Sequence, residues 1–352
     1  MYSESDLQSA VEAGAISAQT ADALRNHVAH LRSSPVVDEE HFRLLTGFND
    51  IFVAIAAMLL LVAVGWLGNS IRLGASPHDP SLVTGLFVAA ASWGLAEYFT
   101  RVRRMALPSI LLLLSFAGGI AFTLFALFMQ IFPDAGDRLG AVLASLTALA
   151  TAIATWAHWR RFKVPITVAA GAASVAGIAV TLLLAAVPGI RDQAFWMVLA
   201  AGIAIFMLAM RWDISDRARK TRQSDVAFWL HLTAAPMIAH SMFQLLGVFD
   251  GDIGPATAVT VLLLYVAFGL VALAVDRRAL LVSSLAYVLY ALYALFQQAG
   301  AVELSAAFTA LVIGSALLLL SAFWHRARKL VVEGLPDEWK AKLPYLDREA
   351  VA

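Results

Sequence analysis

Residues 51–71 read IFVAIAAMLLLVAVGWLGNSI, without one charged side chain. A helix rises about 1.5 Å per residue, so about 20 apolar residues cross the roughly 30 Å hydrocarbon core of a bilayer. This stretch is long enough and apolar enough to span. Working outward from it, the same reading predicts spans at 80–99, 107–132, 139–159, 164–188, 193–210, 226–247, 254–275, 279–298 and 301–324. Inside these ten blocks the only Asp, Glu, Lys or Arg residues are Glu97 and Glu303, each near a span end. The whole 352-residue chain carries the same signature, with 61% hydrophobic and 14% charged residues. Its mean hydropathy is +0.77. Soluble domains hold roughly 45–50% apolar and about 25% charged residues, so an ordinary soluble core is excluded. The predicted fold class is all-α: a polytopic membrane helix bundle of about ten spans with a small N-terminal helical hairpin.

Loop charge predicts the orientation, because cytoplasmic loops are enriched in Lys and Arg. With the N-terminus inside, the inside segments hold Arg25, Arg32, Arg43, Arg101, Arg103, Arg104, Arg160, Arg161 and Lys163. They also hold Arg211, Arg217, Arg219, Lys220, Arg222, Arg277 and Arg278, and the C-terminal tail adds Arg326, Arg328, Lys329, Lys340, Lys342 and Arg348. That is 22 of the 25 basic residues, which leaves only Arg72, Arg138 and Arg191 outside. Removing or adding one middle span would invert every later loop, so the alternation predicts ten helices with both termini cytoplasmic. Residues 1–50 lack the short apolar core of a signal peptide, so the first span is expected to direct insertion.

Other bulk properties act by exclusion. Lys+Arg and Asp+Glu are both 25, so no global basic field attracts nucleic acid. Cysteine is absent, which removes disulfides and thiolate chemistry. There is no phosphate-binding Gly-x-x-x-x-Gly-Lys loop, no His-Glu-x-x-His pair and no Gly-x-Ser-x-Gly elbow. These absences speak against an enzyme, and no cofactor or metal is expected. His27 and His30 stand three apart, but without a third ligand nearby they read as a solvated helix face. No sequence match links 51–188 to 193–324, so an inverted five-plus-five repeat is a geometric possibility only.

Ahead of the bundle, residues 1–32 read as a cytoplasmic helical hairpin. Ser3 is the expected first cap, Gly14 the stop and Ser17 the second cap, followed by an apolar stripe of Ala21, Leu24, Val28 and Leu31. Residues 33–50 form a linker and interfacial segment, 51–324 the transmembrane bundle, and 325–352 a cytoplasmic tail. The head run Asp6-Leu7-Gln8-Ser9-Ala10-Val11-Glu12-Ala13-Gly14-Ala15-Ile16-Ser17-Ala18-Gln19-Thr20-Ala21 resembles a prokaryotic predicted-membrane-protein family. That family is labelled by an N-terminal domain of unknown function (the 2157 type). The shared features are a leucine-bearing helix, a Gly-x-Ile-Ser turn and a Gln two residues after the Ser. The resemblance implies a bacterial inner (cytoplasmic) membrane and carries no catalytic residues.

Candidate site residues cluster on two spans. On the seventh, Thr233, Pro236, His240, Gln244 and Gly247 fall on roughly one helical face, while His231 lies opposite. Pro236 removes a helical hydrogen bond and predicts a kink. Intramembrane ionisable groups often line a pathway, although His240 serving as interhelical packing glue is an equal alternative. On the ninth span, Tyr287, Tyr290, Tyr293 and Gln297 share one arc, either lining a solute path or burying rings in the bundle. Glu303 opens the last span as a candidate coupling site, and a carboxylate there also favours a helix N-terminus. Glu97 is explained by an i, i+4 pair with Arg101. Gly118-Gly119 reads either as a helix break or, more simply, as close packing, and the small residues around Gly171 and Gly177 read as close packing. The leading functional reading is a transporter-like bundle for a small solute or lipid. A non-transport scaffold or sensor, engaging a cytoplasmic protein partner through the hairpin, stays open beside it.

Overall fold

The computed structural model describes residues 9–24, 48–73, 79–187, 189–219, 221–248, 254–298 and 305–346. The chain divides into two compact units, Met1–Arg43 and Leu44–Ala352. In the first unit, residues 9–12 and 18–24 are helical. Gly14 ends the first helix in the left-handed region at φ +69°, and the Ser17 hydroxyl caps the second by accepting from Thr20 N at 3.1 Å. Both expected signals therefore operate. Ser3, His27 and His30 lie outside the described residues.

Among the described residues of the second unit every regular element is a helix. Its helices are α1 (Phe48–Ser70), α2 (Leu82–Ala96, extended by a π-turn over Glu97–Val102), α3 (Ala106–Ile131), α4 (Asp137–Phe162) and α5 (Ile166–Ala186). They continue with α6 (Ala194–Ser215), α7 (Arg222–Leu245), α8 (Pro255–Val275), α9 (Ala279–Gln298), α10 (Ser305–Ala322), α11 (Trp324–Glu333) and the single turn α12 (Asp337–Lys340). The first ten fall on the ten blocks read from the sequence, within a few residues at each end.

Eight of them, α1 to α8, are long and apolar enough to cross a membrane, and a ninth is reached if α10 and α11 count as one bent span. The apolar stretch of α9, Ala279–Tyr293, is shorter, and the chain bends by 76° between α10 and α11. The outer surface carries large apolar side chains such as Leu59, Trp66, Leu263, Val266 and Leu318. Contiguous exposed apolar surface of this kind is unfavourable in water and suits lipid. The chain is a multi-pass membrane protein.

Small residues set the packing of the first half. A Cβ placed on Gly119 would lie 2.7 Å from the Gly85 carbonyl oxygen, and one on Gly85 would strike the Gly119 carbonyl. The α2 and α3 backbones therefore touch, which only glycine permits. Close packing is the role of Gly119, and α3 runs unbroken through it. Between α4 and α5, Ser145 and Thr181 share a hydrogen bond of 2.8 Å, while Gly171 and Gly177 face Thr155 and Ala148. Glu97 pairs with Arg101 as expected, but its stronger partner is Arg161 at the end of α4, bonded twice at 2.8 and 2.9 Å.

In the second half α7 is the hub. Of its spanning stretch 56% is buried, against 33% for α8, the next most enclosed. Its residues Val226, Leu230, Ala234, Ile238 and Phe243 centre the largest core cluster.

Candidate functional site

The two ends of α7 carry two different polar sites. Near its C-terminal end, His240 Nδ1 and the Tyr287 hydroxyl of α9 share a hydrogen bond of 2.7 Å. The Tyr287 ring stacks on Phe243 at 4.4 Å, and Phe195 meets the imidazole edge-on at 5.8 Å. The structure thus joins the α7 polar face to the α9 tyrosine arc, which the sequence offered only as separate motifs. The joined site faces outward: His240 and Pro236 are exposed, as are Tyr290 and Tyr293. Thr233 donates to the Trp229 carbonyl at 2.9 Å, a bond back to its own helix, and Gln244 is half-buried. α7 stays helical through Pro236. Glu303 and the side chain of Gln297 lie outside the described residues.

Toward the other end, a charged cluster is enclosed among α6, α7, α8 and α11. Asp213, in the last turn of α6, has a side chain with no exposed surface. Its Oδ1 accepts from Arg277 Nη2 at 2.7 Å, and its Oδ2 accepts from His231 Nε2 at 2.8 Å. Arg277 also donates to the Ser224 carbonyl at 3.1 Å. Arg219 lies 3.9 Å from Asp213 and donates to Asp276 Oδ2 at 3.0 Å and to the Val275 carbonyl at 3.0 Å. Asp276 in turn accepts from Trp324 Nε1 at 2.8 Å and faces Arg328 at 3.7 Å.

Local backbone brings these groups together. Arg219 and Asp276 both adopt the left-handed conformation, at φ 52° and 59°, as the chain leaves α6 and α8. Between α6 and α7, Asp216 accepts from the backbone and the hydroxyl of Thr221, at 2.8 and 2.7 Å, which tightens the turn that delivers Arg219. The C-terminal tail closes over the cluster. Arg217 donates to the carbonyls of Leu343 and Lys340, and Arg328 to those of Pro344 and Tyr345. Leu343 is buried with Val275 and Val332.

Three buried guanidiniums, Arg219, Arg277 and Arg328, stand against the buried carboxylates of Asp213 and Asp276 and that of Asp216 in the adjoining turn, so the formal charges balance. Desolvating these ions is costly, and only their close mutual geometry offsets it. A carboxylate only accepts, so the bond to Asp213 places a proton on His231 Nε2. Among the described residues no hydrogen-bond partner reaches Nδ1. His231 also lines a pocket of about 10 Å³ with Phe206, Arg277 and Leu280, room for a single water. Chemically the cluster is a polar clamp across four helices. Among the described residues no group of three or more His, Asp or Glu is placed to hold a metal.

Reading loop charge placed Arg219 and Arg277 with solvated cytoplasmic residues, which hid the cluster. A signal was available. Gly202, Ile205, Ala209 and Asp213 follow helical spacing and form the buried face of α6, so Asp213 extends a core stripe. Likewise Ala227, Leu230, His231, Ala234, Ala235 and Ile238 form the buried face of α7.

A second buried histidine shows the contrasting solution. His158 of α4 is enclosed by Trp93, Phe116 and Phe162, with ring centroids 6.0, 5.8 and 4.5 Å away. Its Nδ1 meets the Thr167 hydroxyl at 3.3 Å. The chain matches no family model, no curated protein and no solved structure.

Proposed function

We propose that the protein is a ten-span bacterial inner-membrane protein with both termini in the cytoplasm, working as a transporter-like bundle for a small solute or lipid. The observation that carries this reading is the His240–Tyr287 hydrogen bond, set at an exposed position within apolar spans and flanked by exposed Tyr290. Polar groups at membrane depth are expensive and tend to serve a function. Because this pair opens sideways from the bundle, the ligand it suits best is amphipathic and arrives laterally from the bilayer. The imidazole and phenol supply hydrogen bonds, and the surrounding rings supply apolar contact. The head motif supports placing the chain beside the prokaryotic membrane-protein family it resembles.

The test is a ligand-stabilisation screen of the purified full-length protein in detergent, covering lipids and small amphipathic solutes. A ligand that raises the melting temperature of wild type, but not of His240→Phe or Tyr287→Phe, is the expected result. A ligand that stabilises all three equally removes the site from the reading. Topology is tested by reporter fusions: Asp134, Asp192 and Gly251 are expected outside, Lys163, Lys220 and Lys329 inside. An inside signal at Gly251 with Lys220 also inside would remove the α7 span.

A scaffold or sensor role is the second reading, favoured by one observation: residues 1–43 form a unit of their own. Deleting residues 1–32 would then abolish capture of a cytoplasmic partner while leaving the bundle inserted.

A further inference from the structure

The helix α11 leaves α10 at an angle of 76°. Exposed Leu311, Val312, Leu318 and Leu319 place α10 in hydrocarbon, so a turn this sharp carries α11 toward the plane of the membrane surface. At 100° per residue α11 has three faces rather than two. Trp324, Arg328 and Val332 form the first, buried against the end of α8 and the tail. His325, Lys329 and Glu333 form the second, exposed and polar, with Lys329 and Glu333 paired at 3.7 Å. On the third, Leu330 is 74% exposed, and exposed Phe323 sits at the N-cap just ahead of the helix, positions that water would not favour for either side chain. Arg326 stands between the polar and the apolar exposed faces, its guanidinium 5.7 Å from the Phe323 ring.

A helix lying in a membrane interface has this arrangement, with apolar side chains in the acyl boundary and basic groups level with the headgroups. We propose that α11 is such an interfacial helix and that Arg326 binds the phosphate of an anionic phospholipid, with Phe323 and Leu330 seated in the acyl region beneath it. Charge complementarity selects the lipid. Arg326 is exposed, planar and suited to bidentate phosphate contact, whereas the charge of Lys329 is met by Glu333 on the polar face. Trp339, 63% exposed on the following segment, is a residue type enriched at membrane interfaces. The inference does not depend on the transport reading, because any role for the bundle leaves α11 beside the lipid.

The natural absence of cysteine makes the test clean. Full-length Leu330→Cys and Lys329→Cys are labelled with an environment-sensitive fluorophore and reconstituted in phosphatidylcholine–phosphatidylglycerol vesicles. At Leu330 the probe is expected to be quenched by lipid-borne doxyl groups and shielded from aqueous iodide, and at Lys329 the reverse. Equal iodide quenching at both positions, or no quenching by either agent at Leu330, overturns the interfacial assignment. In detergent, phosphatidylglycerol is expected to stabilise wild type more than phosphatidylcholine does. Arg326→Gln should weaken that affinity about fivefold, and Arg326→Lys, which keeps the charge but loses the bidentate fork, should weaken it by less than that. Equal stabilisation by the two lipids, an unchanged Arg326→Gln, or full replacement of the effect by inorganic phosphate overturns the headgroup assignment.

Discussion

The two histidines of α7 stand nine residues apart and meet opposite environments. His231 is sealed, 2% exposed, and holds a carboxylate shared by two arginines. His240 is exposed and holds a tyrosine hydroxyl. The same side chain, on the same helix, is in one case part of the frame and in the other part of a surface. What separates them is helical phase: His231 continues the buried stripe through Leu230 and Ala234, whereas His240 falls half a turn away from it. A buried polar group among fixed ions has little freedom to act, since moving it strands charges. An exposed polar group hydrogen-bonded to a neutral hydroxyl can exchange that contact for a ligand without stranding a charge.

Substitutions at the two ends should separate frame from surface. The largest effect is expected for Asp213→Ala, which leaves Arg277 and Arg219 buried without the carboxylate they share. Breaking a buried ion pair from one side costs about 3–5 kcal/mol, so unfolding by denaturing detergent should occur well below the wild-type midpoint. A midpoint near wild type would place the cluster in contact with water. Next is His231→Phe, which removes the shorter of two hydrogen bonds to Asp213 Oδ2, leaving only Arg277 Nε at 3.5 Å, and keeps the ring volume beside Phe206. An unsatisfied buried acceptor costs about 1–3 kcal/mol, read in the same titration. Smallest is His240→Phe: intramembrane hydrogen bonds average about 0.6 kcal/mol, so the fold should hold and only ligand response should disappear. If His240→Phe destabilises more than His231→Phe, the contrast between the two ends is inverted.

Much of this architecture was legible. Runs such as 51–71 and 254–275 admit no soluble alternative, and the head caps at Gly14 and Ser17 follow from local chemistry. The relative phase of His231 and His240 was legible as well, because periodicity fixes which residues oppose each other. Which of the two faces turns inward is a tertiary fact, set by where α6 and α9 pack. The glycine contact between Gly85 and Gly119 is of the same kind: either residue alone reads as a small position, and only their juxtaposition brings backbone against backbone. The charged cluster was hidden for a further reason. Asp213 lies just past the predicted 193–210 span, Arg219 and Asp276 read as loop residues, and the left-handed turns that fold these two inward occur without a glycine to mark them. The closure by Leu343, Pro344 and Tyr345 crosses more than a hundred residues, from Arg217 to the tail, beyond the reach of any periodic pattern.

The central claim is that the second half of the bundle is clamped by ions sealed from water, with Asp213 and Arg277 as the principal pair. A double-mutant cycle with Asp213→Asn and Arg277→Gln, measured by reversible unfolding of the full-length protein in mixed micelles, tests it most directly. The account predicts a coupling energy of about 2–3 kcal/mol between the two positions, at the upper end for residues in direct contact. A coupling indistinguishable from zero would contradict it, because it would mean that each side chain is satisfied without the other.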